Sequence, residues 1–160
     1  MDTRQRLLAA LTAGAVSAAG LGMIAEHEGY SQKVYADPAL GWAVPTVCWG
    51  HTATAKRGGW YSDAQCLDLL QKDATTAYRD VQRLFPGAKT QGEVDAYTSL
   101  VFNVGASKLE GSTMRRLFLQ GDRLGACKQF GRWVYSGGQK MRGLVTRRAK
   151  EATLCLRDLQ

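Results

Sequence analysis

The chain has 160 residues and a mass of 17.4 kDa, which is enough for one domain with a sizeable core. Hydrophobic residues make up 45% and charged residues 22% of the sequence, values that exclude a disordered, collagen-like or polytopic membrane protein. The net charge is +7, and residues 101–160 contain twelve basic and four acidic side chains. This basic C-terminal half favours an anionic partner, either nucleic acid or an anionic polymer of the cell envelope.

Residues 7–24 form a run of 18 residues without a charged side chain. As a helix, at ~1.5 Å per residue, the run would span roughly 27 Å, just enough for the apolar core of a bilayer. Half of it is alanine or glycine, so its transfer into lipid is only weakly favourable. Three interpretations stay open: a signal peptide cleaved near residues 17–19, a weak membrane anchor that can later leave the bilayer, and a soluble buried helix.

The four cysteines are an even set that, after an export-type segment, predicts two disulfides in an oxidising compartment. Of the three pairings, we favour Cys48 with Cys66 and Cys127 with Cys155, because each pair closes a moderate loop within one half of the chain. Each bond is expected to stabilise the fold by ~3 kcal/mol. A zinc site of Cys48, His51 and Cys66 is a weaker alternative because it lacks a fourth ligand at the usual spacing. We expect no metal and no other cofactor.

The order of the predicted elements indicates an α+β fold. Residues 31–60 are β-prone and interrupted by proline and glycine, which predicts a small hairpin or a three-stranded sheet. Capping boxes at Ser62 and Thr90 begin two helices, which we expect to end before Pro86 and at Gly105. Three shorter helices are predicted to start at Ser112, at Asp122 and near Leu144. The pattern predicts a β lobe over 31–60, a helical lobe over 62–158, and a cleft between them.

Two carboxylates are the best candidates for chemistry. The sequence has no nucleophile elbow, P-loop, zinc-protease motif or dinucleotide fingerprint, and only two histidines. Glu28 stands at the expected end of the first helix, before Gly29, and Asp37 begins the turn into the β region. A protonated acid and a charged carboxylate across a groove are what glycoside hydrolysis requires. Taken alone, however, such pairs are common among solvated surface acids.

The residues around this pair resemble the phage-type lysozyme family. Its pattern of Glu, eight residues, Asp, a Thr and a Gly-His turn is matched by Glu28, Asp37, Thr46 and residues 50–51. The resemblance extends over about residues 26–156 and is carried downstream by segments 102–105, 112–115, 132–138 and 143–148. The Ala/Gly-rich start and the four cysteines are similar to the signal-arrest-release endolysin branch. In that branch an uncleaved weak anchor holds an inactive exported enzyme at the inner membrane until the segment is extracted.

The resemblance implies a lysozyme-like fold and specific roles for the matched residues. It makes Glu28 the general acid, Asp37 the base or charge stabiliser, and Thr46 the residue that holds the attacking water. It also implies inversion, which requires well-separated carboxylates with room for a water. Glu28 must then stay protonated in the groove, while Asp37 stays ionised and more solvated. The positions implied to line the sugar cleft are Thr52, Phe102 and Thr113.

One departure from the family pattern lies between the two hairpin residues. Eight residues separate Asp37 from Thr46, where the family has five, so residues 38–45 contain a three-residue insertion. We expect it to bulge at residues 39–41, and it leaves the placement of Asp37 and Thr46 open.

The resulting prediction is an endolysin that hydrolyses the β-1,4 bond between N-acetylmuramic acid and N-acetylglucosamine in peptidoglycan, for host cell lysis. Residues 1–25 would be the anchor segment and 26–160 the catalytic domain. The protein would be exported, tethered to the inner membrane through residues 7–24 and released to the host periplasm as a monomer. A lytic transglycosylase, which needs the Glu but no water-directing Asp, remains an alternative. A nucleic-acid module is disfavoured because the basic residues have no interleaved aromatics, so we expect no nucleic-acid partner.

Other conspicuous residues are expected to be structural. Trp133 and Tyr135 should fill the helical core, and His51 should satisfy a backbone group in its own turn. Arg147 and Glu151, four residues apart on one helix, are expected to form an exposed ion pair.

Overall fold

Two clusters of buried apolar side chains organise the protein, in a computed structural model that describes residues 16–159. One cluster lies within the helical lobe. The other lies between the first helix, the hairpin and the first half of the following long helix. Phe102 packs against both clusters, so the β lobe and the helical lobe share a continuous packed interior.

The first described helix, α1 (Ala18–His27), contains part of the uncharged run predicted as a membrane segment. Its N-cap is Ser17, and Leu21, Ile24 and Ala25 on its inner face are buried. In this state, residues 16–24 are therefore part of the folded body, as the soluble-helix interpretation requires. The remainder of the run, residues 7–15, lies outside the described residues. Over residues 16–159, every helix is too short or too polar to cross a bilayer.

The β lobe is an antiparallel hairpin of β1 (Ser31–Asp37) and β2 (Gly41–Cys48). An isolated bridge between Lys33 and Trp60 brings the following loop against β1. The predicted hairpin therefore forms. The alternative, a three-stranded sheet within residues 31–60, does not, because only this isolated bridge joins the following loop to β1.

The insertion lies in β2 and not in the hairpin turn. Ala36 pairs with Pro45 and Asp37 pairs with Gly41, so one step along β1 corresponds to a four-residue step along β2. The three extra residues are 42–44, and the expectation of a bulge at 39–41 is wrong. The physical reason is Asp37, whose Oδ1 accepts the N–H groups of Ala39 and Leu40 at 2.8 Å each and so closes a tight turn there.

The helical lobe is built on two long helices that begin as predicted. Capping boxes form at Ser62 and Thr90, where α2 (Asp63–Leu84) and α3 (Gln91–Val104) start. In each box the N-cap side chain accepts the backbone N–H three residues later, and the side chain of that residue accepts the backbone N–H of the N-cap. Two N–H groups that the helix itself leaves unpaired are thereby satisfied. Residues 92–101 of α3 are all buried, so α3 is the central helix of the lobe.

Shorter elements complete the lobe around α3. They are α4 (Thr113–Leu119), α5 (Arg123–Cys127) and α6 (Arg142–Arg157), with two 3-10 helices, Ala106–Leu109 and Lys128–Arg132. A small hairpin of β3 (Tyr135–Ser136) and β4 (Gln139–Lys140) precedes α6. It was not predicted, although its Gly137-Gly138 turn, with φ of 56° and 78°, is visible in the sequence.

Disulfides join Cys48 to Cys66 and Cys127 to Cys155, the pairing that the sequence favoured. The first bond ties the end of β2 to the start of α2, and the second ties α5 to α6. Because Cys48 and Cys66 are bonded to each other, the zinc site that used both thiols is wrong. Within residues 16–159 there is no group of three or more His, Cys, Asp or Glu side chains that could hold a metal ion.

Two structural expectations about the C-terminal region are wrong. Trp133 packs against the helical core as expected, but Tyr135 is 62% exposed because it lies on the short β3 outside that core. Arg147 and Glu151 are 3% and 0% exposed instead of forming a surface pair. Their i,i+4 spacing is also that of a buried ion pair, and the face of α6 that carries them packs inward.

Candidate active site

Glu28 stands where α1 ends, as predicted. Its φ and ψ are −98° and 140°, so the chain leaves the helix at this residue, and its N–H still donates to Ile24 O at 3.2 Å. The side chain is 22% exposed. The helix end therefore holds a largely buried carboxylate that keeps a limited opening to solvent.

One oxygen of Glu28 is held from across the protein by Arg147. Arg147 Nη1 donates to Glu28 Oε1 at 2.9 Å. The same guanidinium donates to Glu151 Oε1 at 3.1 Å and to Ser99 O at 3.2 Å. Glu151 also accepts from Arg148 Nη1 at 2.6 Å. Because Glu151 binds both arginines, it offsets part of their charge, and Arg147 is fixed by three partners that leave its planar group one orientation.

The other oxygen of Glu28 faces the turn that follows β2. Val47 and His51 exchange two backbone hydrogen bonds of 2.9 Å, which brings Gly50 close to the carboxylate. A Cβ placed on Gly50 would lie 3.2 Å from Glu28 Oε2, and the φ of Gly50 is 77°. Glycine is required here both for the backbone conformation and for the close approach.

His51 anchors this turn to α2. The side chain is buried, and its Nδ1 lies 2.8 Å from Asp73 Oδ2. Its Nε2 lies 2.8 Å from Thr54 Oγ1 and accepts the Thr54 N–H at 3.2 Å. The expected bond to a backbone group in the turn is confirmed. The partnership with Asp73 was missed, because nothing in the sequence links a loop histidine to an aspartate 22 residues later.

Asp37 lies at the end of β1. Its Oδ1 is engaged by the turn N–H groups of Ala39 and Leu40, which leaves Oδ2 outside this pair of bonds. The carboxylate is half-buried and rigidly placed by its own turn. The insertion therefore leaves Asp37 at the tip of β1, since the extra residues are taken up by β2.

Tyr35, which had no predicted role, is affected electrostatically by both carboxylates. Burial raises the pKa of its phenol, and the negative charges of Glu28 and Asp37 raise it further. The charges of the two carboxylates therefore both act on this hydroxyl group. Tyr35 lies two residues before Asp37, on the same face of β1, and this spacing was the available signal.

Thr46 is placed in the same hairpin, opposite Tyr35. It is 4% exposed, and its Oγ1 donates to Val44 O at 3.2 Å. Since that bond uses the hydroxyl hydrogen, the oxygen lone pairs remain available as acceptors. Tyr35 and Thr46 are therefore paired across the hairpin, and Asp37 lies two residues further along the same strand as Tyr35.

The three residues expected to line the sugar cleft lie on separate elements. Thr52 is exposed directly after the His51 turn, and Phe102 is half-buried where the two apolar clusters meet. Thr113 begins α4 and lines a surface cavity of about 500 Å³ together with Lys108 and Arg132. Arg132 Nη1 donates to Thr113 Oγ1 at 3.4 Å. Thr113 therefore lines a basic groove of the helical lobe, and within residues 16–159 no hydrogen bond joins it to Glu28 or Asp37.

The amino-acid sequence is similar to those of phage lysozymes and endolysins. Residues 25–151 match the sequence model of the phage lysozyme family. The SAR-endolysin of Bacteriophage PS119 is 38% identical over 159 residues, covering 96% of this chain and 93% of that protein. The SAR-endolysin of Enterobacteria phage P21 is 36% identical and covers 96% and 94%.

Solved structures of one related endolysin give a further comparison. The crystal structure of the active form of P1 phage endolysin Lyz superimposes with a TM-score of 0.85 at 27% identity, covering 98% of this chain and 93% of that one. The secreted inactive form of the same endolysin gives a TM-score of 0.53 and covers 68% and 77%. The fold described above is thus the more similar to the active form. Sequence and structure agree that this chain belongs to the phage lysozyme family and is a glycoside hydrolase of the muramidase type.

Proposed function

We propose that this enzyme hydrolyses the β-1,4 bond between N-acetylmuramic acid and N-acetylglucosamine in peptidoglycan, and thereby lyses the host cell. The observation that carries the proposal is the match of residues 25–151 to the phage lysozyme family, with Glu28 held by Arg147 at the end of α1 and Asp37 fixed at the end of β1. Most glycoside hydrolases use a pair of carboxylates. The names of the endolysin relatives support the same substrate and the same biological role.

In the proposed mechanism Glu28 is the general acid. Protonated Glu28 donates its proton to the glycosidic oxygen as the bond from the anomeric carbon breaks. Arg147 donates a hydrogen bond to Oε1 of Glu28. The other oxygen, Oε2, lies on the side of Gly50 and is therefore the one that can carry the proton. Arg147 is accordingly a positioning residue, which fixes the acid without contacting the substrate.

Asp37 and Thr46 act on the water. Asp37 accepts a proton as the water oxygen attacks the anomeric carbon, or stabilises the positive charge that develops there. Thr46 Oγ1 would hold this water through its free lone pairs. The products are one strand with a new reducing end and one with a free hydroxyl group, and Glu28 regains a proton from solvent. Thr52, Phe102 and Thr113 are proposed to contact the sugars on either side.

We also propose that export and release control this site. Residues 1–25 would form the anchor, with residues 7–24 in the inner membrane, and residues 26–160 the catalytic domain. In the folded protein, Ser17 N donates to Asp95 Oδ1 at 2.9 Å, and Ser17 Oγ also bonds this buried carboxylate. Those contacts and a membrane position for α1 exclude each other. Extraction of the segment would therefore let α1 form, place Glu28 at its end and yield a monomeric enzyme in the periplasm.

Digestion of purified peptidoglycan in heavy-oxygen water tests the reaction. Hydrolysis predicts that each new reducing-end muramic acid carries one heavy oxygen, detected by mass spectrometry. Anhydro-muramic ends without the label would show a lytic transglycosylase instead. The absence of any new sugar end would contradict both enzyme readings.

A further inference from the structure

The three extra residues of β2 carry an exposed tryptophan beside the proposed site. Trp42 is the first residue of the 42–44 bulge and directly follows Gly41, the strand partner of Asp37. It lies four positions before Thr46, which limits the distance between them along the strand to about 13 Å. The insertion therefore places a large aromatic ring at the edge of the region that contains the carboxylates.

Trp42 is held in place and still partly open to solvent. The guanidinium of Arg57 lies over its ring, 4.6 Å from the ring centroid, and the residue remains 43% exposed. A cation over one face stiffens the indole ring and leaves the other face and the edges accessible. Leu40, in the adjacent turn, is 64% exposed. Exposed aromatic surface next to charged groups is typical of a binding site.

Arg57 adds a charge that suits the substrate. A guanidinium uses its flat face to stack on an aromatic ring, while the N–H groups at its edge stay free to bind a carboxylate. The muramyl sugars of peptidoglycan carry a carboxyl group on their lactyl substituent, either free or extended by an acidic peptide. The C–H face of a pyranose ring is apolar and flat enough to pack on indole.

We propose that Trp42 and Arg57 form an additional glycan subsite, at which the indole ring stacks on a muramyl sugar and Arg57 binds the carboxylate of its substituent. This inference rests on the proposed peptidoglycan hydrolase function. The subsite extends the cleft beyond the carboxylates and favours long, substituted strands over short or unsubstituted ones. The insertion that would create it lies outside the spacing of the family pattern matched by Glu28, Asp37 and Thr46.

Steady-state kinetics on purified glycan strands of two lengths tests the subsite. For Trp42→Ala we expect the ratio of kcat/KM on long strands to that on short strands to fall by about two- to tenfold, mostly through KM. Trp42→Phe should recover most of this loss because it retains a flat ring. The matched control is Trp60→Ala, since Trp60 is a 63% exposed tryptophan of the same lobe outside the insertion, and it should leave the ratio unchanged.

Binding of the ligand by itself gives a second readout. In a Glu28→Gln background, the indole N–H signal of Trp42, identified by its loss in Trp42→Ala, should shift when glycan strands are added. Arg57→Ala should weaken binding of strands that carry carboxylates and leave binding of neutral chitin oligosaccharides unchanged.

Equal length ratios for Trp42→Ala and Trp60→Ala, with an unmoved Trp42 signal, would overturn the subsite while leaving the hydrolase intact. A wild-type protein that releases no sugar ends would instead overturn the hydrolase proposal. Thermal unfolding of each variant separates a binding defect from a folding defect.

Discussion

Arg147 Nη1 donates to Glu28 Oε1 at 2.9 Å, although the two residues are 119 positions apart in the chain. This bond connects α6, near the C-terminus, to the end of α1, the helix that contains part of the proposed anchor. The C-terminal helix thereby orients the proposed general acid, and the acid is in place only when α1 is docked. This one hydrogen bond therefore links the docking of α1, after the proposed release, to the orientation of the proposed acid.

Replacement of Arg147 should impair both stability and activity. In Arg147→Met, Glu151 and Glu28 would each lose a partner, and breaking a buried ion pair by removal of one side costs about 3–5 kcal/mol. We also expect kcat to fall by about 10²-fold because Glu28 loses its orientation. Denaturant unfolding and sugar-end release measure the two effects. Arg142→Met, at an exposed position of the same helix, is the control and should change neither.

The two glycines of α1, Gly20 and Gly22, give a matched pair of sites for testing how this helix docks. A Cβ on Gly20 would lie 2.6 Å from Asp95 Oδ1, whereas a Cβ on Gly22 meets nothing within 4 Å. Gly20→Ala should therefore destabilise the released enzyme and lower its activity. Gly22→Ala should leave activity intact and stabilise the helix by up to ~1 kcal/mol. The two substitutions add the same methyl group to the segment and differ only in what that group meets. Equal effects of the two on unfolding would therefore show that α1 does not pack on Asp95.

The contact between His51 and Asp73 should contribute measurably to stability, because the histidine is buried. Asp73→Asn is expected to cost about 1–3 kcal/mol, measured by urea unfolding. Asp68 lies on the same helix in an exposed pair with Lys72, and Asp68→Asn should cost less than about 1 kcal/mol. A cost for Asp73→Asn no larger than that of Asp68→Asn would contradict the role given to His51 in anchoring the turn.

Stability should depend on pH through His27. Burial lowers the pKa of His27, and the positive charge of Arg147 lowers it further. The unfolded chain then binds a proton near the usual pKa of about 6.5, while the folded protein binds it only at lower pH. This contribution to stability is complete above pH ~6.5 and is lost as the pH falls towards the folded value. His27→Gln should unfold with a weaker pH dependence between about pH 7 and 5, and an identical dependence would contradict this account.

The two disulfides should differ in their effect on activity. Each closes a loop of moderate length, and removal of either should cost ~3 kcal/mol. Cys48, however, lies two residues from both Thr46 and Gly50, so Cys48→Ala with Cys66→Ala should also reduce kcat. The matched double variant, Cys127→Ala with Cys155→Ala, should lower thermal stability with little change in kcat at low temperature. Equal losses of kcat in the two double variants would show that the first bond has no special connection to the site.

The local features of the fold were predictable because neighbouring residues determine them. The capping boxes at Ser62 and Thr90 and the helix end at Glu28 depend only on residues within one turn, and all three appear in the structure. The shift of the insertion to residues 42–44 was not predictable. It depends on which turn Asp37 closes, and several loop lengths satisfied the spacing equally well.

The surroundings of the carboxylates could not be read from the sequence because they depend on tertiary contacts. Arg147 and Glu151 have the spacing of an ordinary surface pair, and only the packing of α6 against α3 buries them. Tyr35 was visible in the matched segment but had no assigned role until its position opposite Thr46 was known. Resemblance to a family therefore proposed which residues are the acids, while the structure supplied the groups that hold them.

The proposed mechanism requires Glu28 and Asp37 to act together, and the rate at which new reducing ends appear in purified peptidoglycan tests this directly. Glu28→Gln and Asp37→Asn should each lose at least about 10²-fold in kcat, as expected for loss of a general acid or base. Glu26→Gln, which changes an exposed carboxylate bound to Lys150, should retain the wild-type rate. If Glu28→Gln or Asp37→Asn releases reducing ends as fast as the wild type while remaining folded, the assignment of that carboxylate is wrong.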